Sequence, residues 1–140
     1  YGHSKMLGED ATLALGGSVA RVSWLIGARF LTILRDRARS GTVEMDLSAI
    51  SRPAFVSDVA AAVVGLCERR APGVHHLVNP PTVTRADLVE ALLEALWLDA
   101  PLVATGAGAV PRPTFTPLAN TGGLPDWRKA LPRVTRGDED

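Results

Sequence analysis

A tyrosine and a lysine at the start of the chain are the first residues that could do chemistry together. Tyr1 is the only tyrosine, and Lys5 is one of two lysines against thirteen arginines. The apolar residues around them have helical spacing, and side chains four positions apart on a helix share a face. A cation near a phenol stabilises the phenolate form, so such a tyrosine can donate or accept a proton near neutral pH. The spacing predicts an acid–base pair; a surface tyrosine without such a role is the alternative.

The histidines and the single cysteine predict no metal site. His75 and His76 are consecutive on a predicted strand, so their rings point to opposite faces. No cysteine or acidic residue stands at ligand spacing from them. Cys67 lies in a predicted helix rich in alanine and valine, and we expect it in the core. Gly106 and Gly108 precede no convincing helix, so they do not form a dinucleotide-binding fingerprint.

Composition excludes several broad classes of protein. The 140 residues suffice for about one domain, and 46% of them are hydrophobic while 21% are charged. Fifteen basic and fifteen acidic side chains give a formal net charge of zero, which argues against a strongly basic surface for nucleic acid. No apolar run approaches the ~20 residues that cross a bilayer. One cysteine cannot form an internal disulfide. We therefore expect a cytoplasmic protein that binds neither nucleic acid nor membrane.

Helix and strand patterns alternate along the chain. Apolar residues at helical spacing predict helices over 2–15, 30–39, 59–70, 85–98 and 126–133. Ser57 and Thr84 are the predicted N-caps of the third and fourth helices. Runs of β-branched residues predict strands at 19–26, 43–45 and 74–78, the first of them buried. Many prolines and glycines predict an extended loop over 101–125. The alternation indicates an α/β protein.

Several segments resemble one enzyme superfamily in register. Residues 1–9, YGHSKMLGE, resemble the active-site helix of the extended short-chain dehydrogenase/reductases. They are most similar to the dTDP-4-dehydrorhamnose reductases, whose helix commonly reads Tyr-Gly-x-x-Lys-x-x-Gly-Glu. The next strand, RVSWLIG at 21–27, is similar to that family's Arg-Thr-Ser-Trp-x-x-Gly. Later segments resemble further family blocks in the same order, namely RPAFVSDVA at 52–60, GVHHL at 73–77, and RP at 112–113 with LAN at 118–120 and LPDWRKAL at 124–131.

The resemblance implies the C-terminal part of a Rossmann-like α/β fold, a doubly wound parallel sheet with a small substrate-binding lobe. Residues 1–41 would end the cofactor domain. Residues 42–134 would form mainly the lobe, with a strand returning to the sheet, and 135–140 a polar tail. The glycine-rich turn that cradles a dinucleotide is absent from these residues and lies upstream in the family. We therefore expect a C-terminal half that is inactive alone.

The function implied by the resemblance is NAD(P)H-dependent reduction of a 4-keto sugar nucleotide, with NADP or NAD as cofactor. Tyr1 would protonate the carbonyl oxygen, and Lys5 would bind the nicotinamide ribose, so both would contact the cofactor. Trp24 would lie against the sugar, with core packing as its alternative role. Arg52 and Arg112 would face the phosphates, because the forked guanidinium suits that work. A solvated surface position is the alternative for each arginine.

Some alternatives stay open at this stage. The loop before Pro53 lacks the family's usual Asp-Gln and Pro-Thr pairs, which leaves the identity of the sugar nucleotide undecided. A sugar-nucleotide epimerase uses the same tyrosine and lysine. Some similar proteins are non-catalytic regulatory subunits that bind a partner enzyme, although retention of Tyr1 and Lys5 favours catalysis. A homodimer is compatible with the resemblance.

Overall fold

Helices and short strands alternate in the computed structural model, which describes residues 1–105 and 113–136. The helices are α1 Gly2–Ala14, α2 Ala28–Arg39, α3 Val56–Glu68, α4 Arg85–Ala95 and α5 Leu131–Arg136, with a 3-10 helix at Trp127–Ala130. The strands are β1 Ser18–Arg21, β2 Trp24–Ile26, β3 Val43–Met45, β4 Ile50–Ser51, β5 Pro53–Phe55, β6 Gly73–His76, β7 Val83–Thr84 and β8 Leu102–Ala104.

The strands join in pairs, and most of the pairs are parallel. β1 pairs with β6, β2 with β5 and β3 with β8, all parallel, whereas β4 and β7 are antiparallel. Parallel pairing between strands far apart in sequence needs crossover connections, which the intervening helices provide. The predicted α/β class is therefore confirmed, and the strand predicted near 74–78 does lie beside β1.

The predicted buried strand over 19–26 is wrong in two respects. It is two strands, β1 and β2, which are interrupted at Val22 and Ser23 and pair with different partners. β1 is also largely exposed, with only Val19 partly buried. The pattern of β-branched residues is continuous across both strands, so local sequence carries no mark of the change of partner.

The two edges of the β1–β6 pair differ. The outer edge of β6 is covered, because His76 N–H donates to Thr121 Oγ1 at 2.8 Å and Gly122 N–H donates to the His76 carbonyl at 3.0 Å. Between the two strands, the Gly17 and Arg21 carbonyls accept hydrogen bonds from residues of the β6 segment, so these two carbonyls face β6 and not the free edge of β1. Backbone groups alternate in direction along a strand, so the peptide groups of the even-numbered β1 residues face the opposite edge. No strand of the described residues pairs with that edge.

The larger hydrophobic cluster lies away from α1. It joins α2, α4, the β2–β5 pair and the C-terminal helices through Ile26, Leu31, Leu34, Val43, Phe55, Val83, Leu88, Val89, Leu92, Leu93, Trp127, Ala130 and Val134. A smaller cluster contains Leu66, Leu77 and Leu124. α1 has no buried residue at all. The larger cluster of the described residues therefore includes residues on both sides of the predicted boundary at residue 41 and none from α1 or the β1–β6 pair.

α3 runs over 56–68 instead of the predicted 59–70, so it begins and ends earlier than the sequence predicts. Its N-cap is Phe55, so Ser57 lies inside the first turn and is not the cap; Asp58 is in that turn as expected. Cys67 is exposed, and its predicted place in the core is wrong. The adjacent Leu66 occupies the buried face, and consecutive helical residues point about 100° apart.

The elements after β6 also differ in part from the ranges that the sequence predicts. The Asp87 N–H donates to Thr84 Oγ1 at 3.1 Å, which confirms Thr84 as the cap of α4. α4 ends at Ala95 instead of 98, because the chain turns at Trp97 with φ of +57°. The predicted loop over 101–125 contains β8 and a bridge between Ile50 and Phe115. The last helical stretch, predicted over 126–133, runs from Trp127 through a 3-10 turn to Arg136.

Truncating a core leucine should destabilise the protein much more than truncating an exposed one. Leu92 is fully buried on α4, and Leu92→Ala should lower the free energy of unfolding by about 2–5 kcal/mol. Leu15 is 90% exposed, and Leu15→Ala should change it by less than about 0.5 kcal/mol. Urea denaturation followed by circular dichroism measures both. Equal effects of the two substitutions would contradict the position of the core.

Candidate functional site

The structure brings Tyr1 and Lys5 together at the start of α1. Tyr1 is the N-cap of the helix, and its carbonyl accepts hydrogen bonds from Lys5 N–H at 3.1 Å and from Ser4 Oγ at 2.8 Å. The Lys5 ammonium lies over the phenol ring, 5.4 Å from its centroid, which is a cation–π distance. Both side chains are exposed, Tyr1 by 96%. The predicted adjacency is therefore present, on a face that is open to a ligand or to further protein.

An ion pair ties α1 to the end of β1. Arg21 Nε donates to Glu9 at 3.0 Å and 3.2 Å, one bond to each carboxylate oxygen. These hydrogen bonds and the Arg21 charge hold the pKa of Glu9 below its ordinary value, and the Glu9 carboxylate raises the pKa of Arg21. The pair is partly exposed and therefore contributes little to stability, and it links the helix that carries Tyr1 and Lys5 to the end of β1.

A chain of hydroxyl groups fixes the connection between β1 and β2. Ser51 is fully buried, and its Oγ donates to the Thr116 carbonyl at 2.9 Å. A serine hydroxyl has one hydrogen, so Ser23 Oγ must donate in the 2.8 Å contact between the two serines. Ser23 immediately precedes Trp24. The backbone that carries the indole is thereby attached to β4 and to the segment after residue 113.

Trp24 begins β2 and is half-buried. It packs against the larger hydrophobic cluster, and the Arg85 guanidinium carbon lies 4.7 Å from the centroid of its ring. Both the predicted contact with a sugar and the alternative of core packing are compatible with partial burial. Arg85 was not among the residues that the sequence singled out. It follows the cap Thr84, but nothing in the sequence pairs it with Trp24.

The two arginines predicted at the phosphates have different outcomes. Arg52 is partly buried, and it donates through Nε to Thr82 Oγ1 at 3.3 Å and through one terminal nitrogen to the Leu118 carbonyl at 2.7 Å. It therefore joins two loops instead of standing free in solvent. Arg112 lies outside the described residues.

A buried side-chain amide that the sequence did not single out, that of Asn79, joins β5 to α3 and to the segment at Pro125. Asn79 is fully buried; its carboxamide oxygen accepts from Phe55 N–H at 2.9 Å, and its nitrogen donates to Asp58 at 2.7 Å and to the Pro125 carbonyl at 3.0 Å. Asp58 in turn pairs with Arg133 at 2.9 Å. The sequence shows only an asparagine before two prolines, which marks the end of a strand.

The described residues carry no group of three or more His, Cys, Asp or Glu that could hold a metal ion. His75 lies 3.2 Å from the Ala71 carbonyl through its Nε2, on the face of β6 opposite to His76. Two cavities of about 650 and 340 Å³ are present, and none of Tyr1, Lys5, Trp24 or Arg52 lines either of them. Tyr1 and Lys5 therefore lie on the exposed surface, whereas Trp24 and Arg52 are partly buried outside both of these cavities.

Comparison with known proteins assigns the family. Residues 1–135 match the model of the RmlD substrate binding domain. The chain belongs to this family. No curated protein sequence matches it.

Solved structures show the same fold at low sequence identity. A dTDP-4-dehydrorhamnose reductase from Clostridium acetobutylicum is 18% identical with a TM-score of 0.84, covering 97% of this chain and 54% of that one. The Bacillus anthracis dTDP-4-dehydrorhamnose reductase in complex with NADP is 19% identical with a TM-score of 0.82, covering 96% and 53%. The UDP-N-acetylglucosamine 4-epimerase of Methanobrevibacter ruminantium is 12% identical with a TM-score of 0.67, covering 96% and 48%. This chain spans about half the length of these structures.

The likeness confirms the resemblance to the reductases and their Rossmann-like fold. It extends to epimerases of sugar nucleotides, so the fold alone does not separate the two activities.

Among the described residues, no helix has both the length and the apolar character that a membrane span requires.

The Glu9–Arg21 pair predicts a pH dependence. The pKa of Glu9 is lowered in the folded state from an ordinary value of 4.5, so the pair stabilises the fold above that value and is lost as pH falls through the lower pKa. Arg21→Gln should move the Glu9 titration midpoint, measured by NMR of the carboxyl carbon, up towards 4.5. Arg29→Gln on α2 should leave that midpoint unchanged. A midpoint that Arg21→Gln does not move would show that the pair is absent in solution.

Proposed function

We propose that this chain is the C-terminal, substrate-binding half of an NAD(P)H-dependent reductase that acts on a 4-keto sugar nucleotide. The observation that carries the proposal is the Lys5 ammonium 5.4 Å from the centre of the Tyr1 ring, at the start of a helix in an RmlD substrate binding domain. The structures similar to it that are named dTDP-4-dehydrorhamnose reductase support the substrate class.

Tyr1 is the proposed proton donor. Its phenol protonates the carbonyl oxygen of the substrate as the carbon is reduced, and general acid catalysis of this kind contributes about 10²–10⁴-fold to a rate. Lys5 stabilises the phenolate that remains and holds the nicotinamide ribose. The nicotinamide supplies hydride when it is bound. A phenol and an ammonium, both exposed at one end of α1, are donors that fit a ribose hydroxyl and a carbonyl oxygen.

The cofactor domain continues, in this proposal, at the open edge of β1. That edge presents backbone groups that pair with no strand of the described residues, and α1 has no buried residue. Both features are expected where a parallel sheet and its covering helix meet further protein. The glycine-rich turn for the dinucleotide is absent from residues 1–140, so residues 1–140 alone should not oxidise NADPH.

Three residues are assigned to the substrate. Trp24 lies against the sugar from the start of β2. Arg52 and Arg112 serve the diphosphate, where forked guanidinium groups give paired hydrogen bonds. Arg52 also joins the loops at Thr82 and Leu118, so its loss would disturb the site as well as its charge.

An epimerase is the second candidate, favoured by the structural likeness to sugar-nucleotide 4-epimerases. The two activities differ in cofactor use. A reductase consumes one NADPH for each sugar that it converts, whereas an epimerase recycles its NAD and leaves the amount of reduced cofactor unchanged. Following cofactor absorbance during turnover of a dTDP-4-keto sugar therefore separates them. The family match favours net reduction.

Removing the phenol hydroxyl should abolish most of the turnover. In the complete natural protein, Tyr1→Phe should lower kcat for NADPH-dependent reduction of dTDP-4-dehydrorhamnose by about 10²–10⁴-fold, because the carbonyl loses its proton donor. His3→Ala, an exposed change on the same helix, should leave kcat near the wild-type value. Full turnover in Tyr1→Phe would refute the catalytic role of Tyr1. A wild-type protein without turnover, whose affinity for a partner enzyme survives Tyr1→Phe, would instead indicate a non-catalytic, partner-binding subunit.

A further inference from the structure

The strongest feature that the proposed function leaves unexplained is the cation–π contact between Arg85 and Trp24. Arg85 is the first residue of α4 and Trp24 is the first residue of β2. Both are partly buried, and the guanidinium carbon lies 4.7 Å from the centroid of the indole ring. A flat cation at this distance attracts the ring face and restricts the ring's rotation.

Arg85 is held in place independently of the ring. Its backbone N–H donates to the Ala49 carbonyl at 2.9 Å, and one terminal nitrogen donates to the Asp46 carbonyl at 3.2 Å. The Asp46 carboxylate accepts from Ser48 N–H at 3.0 Å and from Ser48 Oγ at 2.6 Å, which fixes the 46–48 turn. Thr84 caps the helix immediately before Arg85. The guanidinium is therefore a fixed surface against which the indole rests.

The backbone of Trp24 is fixed from the other side. The hydroxyl chain from Ser23 through buried Ser51 to the Thr116 carbonyl holds the residue that precedes it. The ring also packs against the larger hydrophobic cluster, so a ligand can reach only the part of the half-buried indole that neither the cluster nor Arg85 covers. The position of Arg85 therefore contributes to which part of Trp24 a substrate can meet.

We propose that Arg85 is a positioning residue, which orients the Trp24 ring and thereby sets the affinity of the site for its sugar nucleotide. The inference rests on the proposed function, because it takes Trp24 as a wall of the sugar site. Arg85 acts here through its contact with the indole and not through a contact of its own with the phosphates. A Trp24→Ala background separates these two modes, because it removes the indole and leaves the Arg85 charge in place.

The kinetic test uses the complete natural protein with NADPH and dTDP-4-dehydrorhamnose. Arg85→Met should raise KM by about 2- to 30-fold, the range that loss of a cation–π contact gives, with a smaller change in kcat. Arg85→Lys should raise KM by less, because a lysine ammonium can still contact the ring face. In a Trp24→Ala background, Arg85→Met should have no further effect on KM. The matched control is Arg128, whose guanidinium lies 4.7 Å from the Trp127 ring; Arg128→Met should leave KM unchanged.

Two kinetic results would overturn the inference. A wild-type KM in Arg85→Met would show that the contact between Arg85 and the indole does not set the affinity of the site. An Arg85→Met effect that persists undiminished in the Trp24→Ala background would show that Arg85 does not act through the indole.

A second readout does not depend on activity. In the substrate-free protein, the NMR resonance of the Trp24 indole N–H should shift in both Arg85 variants and stay in place in Arg128→Met, which should shift the Trp127 resonance instead. An unmoved Trp24 resonance in the Arg85 variants would contradict the inference. If the wild-type protein reduces no sugar nucleotide, the proposed function fails, and this resonance still decides whether Arg85 orients the ring.

Discussion

The position of β5 depends on one fully buried residue, Asn79. The backbone N–H of Asn79 donates to the Pro53 carbonyl at 2.7 Å, and its side-chain carboxamide oxygen accepts from Phe55 N–H at 2.9 Å. Asn79 therefore pairs with β5 as a residue of a further strand would. Its nitrogen reaches Asp58 and the Pro125 carbonyl. Each of these groups would be costly to bury unpaired. Because β5 pairs in register with β2, the same amide determines where the strand that begins with Trp24 lies.

Local signals predicted most of the helices and gave no information on the strand partners. α1, α2 and α4 follow from apolar spacing, and Thr84 caps α4 because a threonine oxygen reaches the free N–H groups of a first turn. The division of 19–26 into β1 and β2 depends on pairing with β6 and β5, more than 25 residues away in sequence. Cys67 was misplaced because both faces of α3 carry small apolar residues, and only tertiary contacts decide which face is buried.

The same contrast holds at the candidate site. The adjacency of Tyr1 and Lys5 could be predicted, because it needs only one turn of helix. The stacking of Arg85 on Trp24 joins residues that are distant in the chain and required the folded structure. The open edge of β1 and the exposed α1, at whose start Tyr1 and Lys5 lie, are both compatible with the proposed second domain at this edge.

The most direct measurement is a crystal structure of the complete natural protein with NADP and a dTDP-sugar bound. If the proposed function is correct, the Tyr1 phenol oxygen will lie within about 2.6–3.2 Å of the oxygen on the reacting sugar carbon. The Lys5 ammonium will lie at the nicotinamide ribose, and the sugar ring will lie against Trp24. A sugar bound elsewhere, with the phenol directed away from both ligands, would contradict the assignment of this chain as the substrate-binding half of a reductase.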